Sequence, residues 1–188
     1  MSHPIPAESV ELLNTVVPPP NRPPLLYQEM AVNTAVLRGY IERPILGTRG
    51  LLYTGQMTSQ DRELCILRVT GRKRAVHEWG VHVAYFGRTS GLSESQVAAT
   101  ATNSQPTPDW TDRQRAVIAI ADAVVNFRPL AGRSAGLVKA EMDVTERAEF
   151  IALASQYLAI SSMCRVLEVP VEPGTPEMPT VTTDHTGS

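Results

Sequence analysis

Residues 62–88 read RELCILRVTGRKRAVHEWGVHVAYFGR, and the periodicities inside this stretch decide the fold class. In its first half Leu64, Cys65, Leu67 and Val69 give an apolar helical face. In its second half Val76, Trp79, Val83 and Phe86 recur at the three- and four-residue steps of one helical stripe. Ala75, Glu78, His82 and Tyr85 fall on the adjoining stripe. Neither half alternates with period two, so the stretch predicts two helices, with Gly71 ending or loosening the first.

The flanks extend this pattern. Thr58 followed by Asp61 predicts a reciprocal capping box opening the first helix. Ser90-Gly91 stops the second, predicted over 75–89. Ser93 with Gln96 and Thr111 with Gln114 each predict a further capped helix, and Asp143 with Glu146 opens the last. Pro106 and Pro108 mark a linker, and Pro129 and Pro170 mark helix stops. A short helix is expected over 133–142. The stripe expected for the last helix is Ala148, Ile151, Ala152, Ser155, Leu158, Ala159, Ser162, Met163 and Val166. Upstream, residues 25–41 predict one helix with Leu26, Met30, Leu37 and Ile41 inward, ended by Pro44, then a link or short helix over 46–52. The expected fold is all-α, an antiparallel helical bundle. Its domain spans 25–170. A proline-rich arm over 1–24, with a short helix from Ser9 to Val16, precedes it, and a disordered Pro/Thr/Gly-rich tail over 171–188 follows.

Composition bounds the function. At 188 residues the chain can bury a core without a metal or disulfide staple. A net charge of −2 gives no electrostatic case for nucleic acid or an anionic membrane. No apolar run approaches the ~20 residues of a membrane span, and no signal peptide is read, so the expected location is cytoplasmic. Cys65 and Cys164 sit in apolar helical patterns and are expected as buried, reduced thiols.

The chemistry concentrates in the opening stretch. Glu78 and His82 are neighbours at i and i+4. A carboxylate beside an imidazole fixes its tautomer and raises its pKa, which makes a general acid/base near pH 7. His77 would flank the same pocket or face a neighbouring element. His77 and His82 are five apart, roughly 140° around a helix, which is a poor chelate. No metal site is therefore expected. Among Arg62, Arg68, Arg72, Arg74 and Arg88, one would bind a substrate carboxylate. Arg68, Trp79 and Tyr85 are the candidate substrate-binding residues.

The run R-E-L-x-I-L-R-V, then E-W-x-x-H, then G-L-S-x-x-Q resembles the carboxymuconolactone decarboxylase family, the wider group that includes the AhpD-type alkylhydroperoxidases. In the peroxidase branch the motif is a glutamate followed downstream by C-x-H-C-x-x-x-H. Glu63, His77 and His82 match its proton-relay positions, while Ala75 and Glu78 stand where the two cysteines would be. Without those thiolates there is no peroxide nucleophile, so thiol-peroxidase activity is not expected. The E-W-x-x-H form is similar to the decarboxylase branch. That resemblance implies an all-helical, AhpD-like, cofactor-free enzyme that forms homo-oligomers and acts on small carboxylated lactones. It implies catalytic roles for Glu63, His77, Glu78 and His82, with His82 the acid/base oriented by Glu78. A dimer, trimer or hexamer with a small-molecule substrate is the expected assembly. Lactone hydrolysis, isomerisation or cyclisation on the same fold stays open, as does a non-catalytic binding protein.

Overall fold

The computed structural model describes residues 5–42, 55–102 and 109–180. Among them the chain forms helices and no strand: α1 (Ala7–Val16), α2 (Leu25–Met30), α3 (Thr34–Ile41), α4 (Ser59–Arg72), α5 (Val76–Phe86), α6 (Glu94–Ala101), α7 (Asp112–Val125), α8 (Gly132–Glu141) and α9 (Val144–Val166). The all-α expectation therefore holds. No helix among the described residues is long and apolar enough to cross a membrane. The link expected over 46–52, the stop at Pro44, the Pro106–Pro108 linker and residues 181–188 lie outside the described residues.

Side-chain caps set four of the nine described helix starts. Ser93 and Gln96, Thr111 and Gln114, and Asp143 and Glu146 each exchange side-chain and backbone hydrogen bonds as full capping boxes. At α4 only half the expected box forms. Thr58 accepts from the Asp61 amide, but the Asp61 carboxylate turns to the Arg113 guanidinium at 3.1 Å. Arg113 also reaches Glu146 at 2.8 Å and the Glu141 carbonyl at 2.6 Å, tying the starts of α4, α7 and α9 to the end of α8.

The opening stretch supplies the middle of the molecule. Helix α4 packs against α5, α6, α7 and α9, and α7 packs against α8 and α9. Leu64, Cys65, Ile66, Leu67 and Val69 are all fully buried, so α4 is enclosed on nearly every side. Each such aliphatic side chain contributes up to about 1.5–3 kcal/mol relative to exposure. Gly71 does not end α4. A Cβ there would lie 2.7 Å from the Thr100 carbonyl oxygen, so glycine lets α4 and α6 touch backbone to backbone. The helix ends just beyond, where Arg74 takes a left-handed φ of 54° and the Ala75 amide bonds back to the Thr70 carbonyl.

Four further expectations change. The single helix over 25–41 is broken at residues 31–33 into α2 and α3, although Leu26, Met30 and Leu37 are buried as expected. Helix α5 ends at Phe86 rather than near Thr89, because the Phe86 carbonyl closes a turn with the amides of Thr89 and Ser90. The buried face of α9 is Phe150, Leu153, Tyr157, Ile160 and Cys164, not the expected stripe, and Ile151 and Val166 face outward. The helix is apolar on more than one side, and the bulkier set is the one turned into the core. Finally, the disorder expected from 171 fails for residues 171–180. There the Glu172 carboxylate accepts the Leu25 amide at 2.9 Å, the Pro179 carbonyl accepts from Arg74 at 2.7 Å, and Met178 is buried. The N-terminal helix is formed as expected and lies on its own chain. Ser9 and Thr34 share a hydroxyl hydrogen bond of 2.8 Å, and Glu8 pairs with Arg38.

Candidate active site

The crossing of α4 and α5 brings Glu63 against His82. The His82 Nδ1–H donates to Glu63 Oε2 at 2.7 Å, with both side chains almost fully buried. On the other edge of the ring, Nε2 lies 3.1 Å from the Tyr157 hydroxyl of α9 and 3.5 Å from Glu78 Oε1, one helical turn back on α5. The Phe86 ring covers a face of the imidazole at 5.2 Å between centroids, and Tyr157 meets it edge-on at 82°. Arg62 reaches the second oxygen of Glu63 from its Nε at 3.3 Å. Three helices thus hold one imidazole between two carboxylates and a phenol.

Electrostatics follow from that geometry. Burial disfavours the charged imidazolium, but the hydrogen bond to Glu63 and the close Glu78 carboxylate, with the negative charges of both, outweigh it and raise the His82 pKa from 6.5 to about 9. At neutral pH His82 is therefore an imidazolium, a proton donor in waiting rather than a ready base. The carboxylate that holds its Nδ1 is Glu63, whereas the sequence pattern pointed to Glu78. A hydrogen bond at 2.7 Å between helices outranks an i,i+4 contact at 3.5 Å. Glu78 is the most exposed of the four side chains, at 9%.

His77 does not join this cluster. Its Nδ1–H donates to the Pro170 carbonyl at 2.8 Å, and its buried Nε2 has no hydrogen-bond partner, with Glu172 Oε2 3.9 Å away. It faces the C-terminal segment, the second of the two placements its helical position allowed. Gly80 lies under the same segment, where an added Cβ would stand 2.9 Å from the Thr175 hydroxyl.

The three candidate substrate-binding residues have other partners. Arg68 forms a two-pronged pair with Asp122 of α7, both contacts 2.8 Å, and also reaches the Ala99 carbonyl at 3.3 Å. Trp79 is buried, and its indole N–H donates to Thr100 Oγ1 at 3.0 Å. Tyr85 is exposed. Both cysteines are free and buried. Burial, reinforced by the charges of Glu63 and Asp61 at Cys65 and of Glu78 at Cys164, pushes each thiol up to about 12. They are therefore poor nucleophiles at neutral pH. Among the described residues no group of three or more His, Cys, Asp or Glu side chains is arranged to hold a metal ion.

No protein-family model matches the chain, and no curated protein or solved structure is significantly similar to it.

The site residue that the sequence pattern missed is Tyr157. The expected stripe on α9 placed its neighbour Leu158 inward instead. The available signal was chemical: a tyrosine inside an apolar helix requires a partner for its hydroxyl. Away from the cluster, an apolar groove of about 350 Å³ runs between α7 and α9, lined by Ile120, Val124, Phe127, Leu130 and Ile151 among others.

Proposed function

We propose that this protein is an acid/base enzyme resembling carboxymuconolactone decarboxylase, a carbon–carbon lyase that needs no cofactor and acts on a small carboxylated lactone. The observation that carries this reading is the buried His82 imidazole held between Glu63 and Glu78. Loss of carbon dioxide breaks a carbon–carbon bond and leaves its electron pair on the lactone as an enolate. A proton must then be delivered to carbon. The His82 imidazolium is that acid, with Glu63 fixing the ring and Glu78 lying at the more open side of the cluster. His82 regains its proton from solvent through Glu78. The sequence resemblance supplies the substrate class, and the same acid would serve isomerisation or cyclisation of a related carbon acid. His77, turned to the C-terminal segment, is assigned no direct step.

The test is release of carbon dioxide from a panel of small lactone acids by wild type and His82→Ala. Turnover by wild type with a loss of at least about 100-fold in the variant supports the reading. Undiminished turnover by the variant removes His82 from the mechanism.

The closure of the cluster and the separate groove between α7 and α9 favour a second reading, a non-catalytic small-molecule-binding protein. A ligand that co-purifies and stabilises the protein while staying chemically unchanged would establish it. Either reading includes a homo-oligomer in the cytoplasm. Apolar side chains left open at Phe127, Val144 and Val166 support self-association, and a monomer by light scattering would contradict it.

A further inference from the structure

His82 is reached from opposite sides by two helices. Glu63 of α4 takes the Nδ1–H, which leaves the fate of the Nε2 proton to be decided between Glu78 at 3.5 Å and the Tyr157 hydroxyl at 3.1 Å. The longer distance is at the limit of a hydrogen bond, and the shorter lies within the ordinary range. A phenol is also suited to either protonation state. It accepts from the imidazolium Nε2–H and donates to the neutral Nε2. Tyr157 is 3% exposed and meets the imidazole edge-on, so its ring has little room to withdraw. Glu78 makes no other ion pair among the described residues, and it is the most exposed member of the cluster.

We propose that Tyr157 is a positioning residue of this site: its hydroxyl holds Nε2 of His82 in the resting site, so that Glu78 keeps its lone pairs and is the group through which the ring is recharged from solvent. The division of labour follows. Glu63 fixes one edge of the imidazole and Tyr157 the other. Glu78, left free of that bond at the more open side of the cluster, relays the proton that His82 regains after turnover. This assignment rests on the acid/base reading for its chemical meaning, but the arrangement itself is testable without any substrate.

The experiment is an NMR titration of the His82 ring nitrogens from pH 5 to 10.5 in wild type and Tyr157→Phe, with His82→Gln used to assign the resonances. The substitution removes one oxygen, and circular dichroism verifies the fold. In the variant the neutral ring loses its donor and the imidazolium Nε2–H turns to Glu78. The expected result is a changed Nε2 chemical shift and an upward move of the His82 titration by about half a pH unit or more. An unchanged Nε2 shift and an unchanged titration overturn the proposal. The two readings fail separately. A titration that responds to Tyr157→Phe, in a protein that turns over no lactone acid, retains Tyr157 as the positioning residue and removes the enzyme. Turnover that persists while the titration ignores Tyr157 retains the enzyme and removes Tyr157.

Discussion

The substitution Glu63→Gln should erase a specific part of this protein's pH-dependent stability. The raised His82 pKa makes folding favour the protonated ring. That contribution is fully present below the unfolded value of about 6.5 and is lost as pH rises through the folded value of about 9. The span between the two corresponds to on the order of 3 kcal/mol. The substituted glutamine keeps the shape and can accept the Nδ1–H through its amide oxygen, but it removes the charge that offsets the burial of an imidazolium. The gap in unfolding free energy between wild type and variant should therefore be roughly 2–3 kcal/mol near pH 6 and should narrow steadily toward pH 10. Urea unfolding at pH 6, 7.5, 9 and 10 measures it, because groups common to both proteins cancel in the difference. A gap that stays constant across this range would show that Glu63 acts by packing alone and would refute the electrostatic account of the site.

Three other outcomes are expected. Arg68→Ala should destabilise the protein by about 2 kcal/mol through loss of its two-pronged pair with Asp122, with substrate or ligand affinity unchanged. A weakened affinity at unchanged stability would restore the substrate-binding role suggested by its sequence position. Gly71→Ala should cost about 2–3 kcal/mol in a denaturation curve, because the new methyl meets backbone at both the Thr100 oxygen and the Ala101 Cα. Helix propensity alone predicts the opposite sign, so a stabilised variant would disprove the close packing of α4 on α6. A thiol reagent at pH 8 should leave Cys65 and Cys164 unlabelled in the native protein and label both in urea, since burial keeps both thiols protonated. Rapid native labelling would contradict that burial.

What could be read directly from the sequence was local. The capping boxes at Ser93, Thr111 and Asp143 close within one turn, so the residues that make them are neighbours along the chain and few contexts can override them. The helical period of residues 62–88 likewise needs no partner to be seen. Glu78 and His82 were recognisable as a pair by residue type and spacing, and Glu63 and His77 joined them only through the family resemblance.

Tertiary structure decided what lay between helices. The spacing on α5 made Glu78 the evident partner of His82. The crossing of α4 over α5 gave the tighter hydrogen bond to Glu63, and no periodicity along one helix encodes the angle at which two helices cross. Helix α9 has apolar residues on more than one side, so its pattern did not determine which stripe would be buried. Packing against α4 and α7 chose the face with Phe150 and Tyr157, and with it the phenol that completes the site. The C-terminal segment has the composition of a disordered tail. Residues 171–180 are nevertheless placed by the backbone of α2, by Arg74 and by the bare surface of Gly80, contacts more than 90 positions away in the chain. The sequence by itself determined the all-helical class, the capped helix starts and the Glu78–His82 pair, because those depend on neighbours one turn away. Only the fold decided which carboxylate holds the imidazole, that the ring is an acid at neutral pH, and that Tyr157 stands beside it, because each depends on groups that distant parts of the chain bring together.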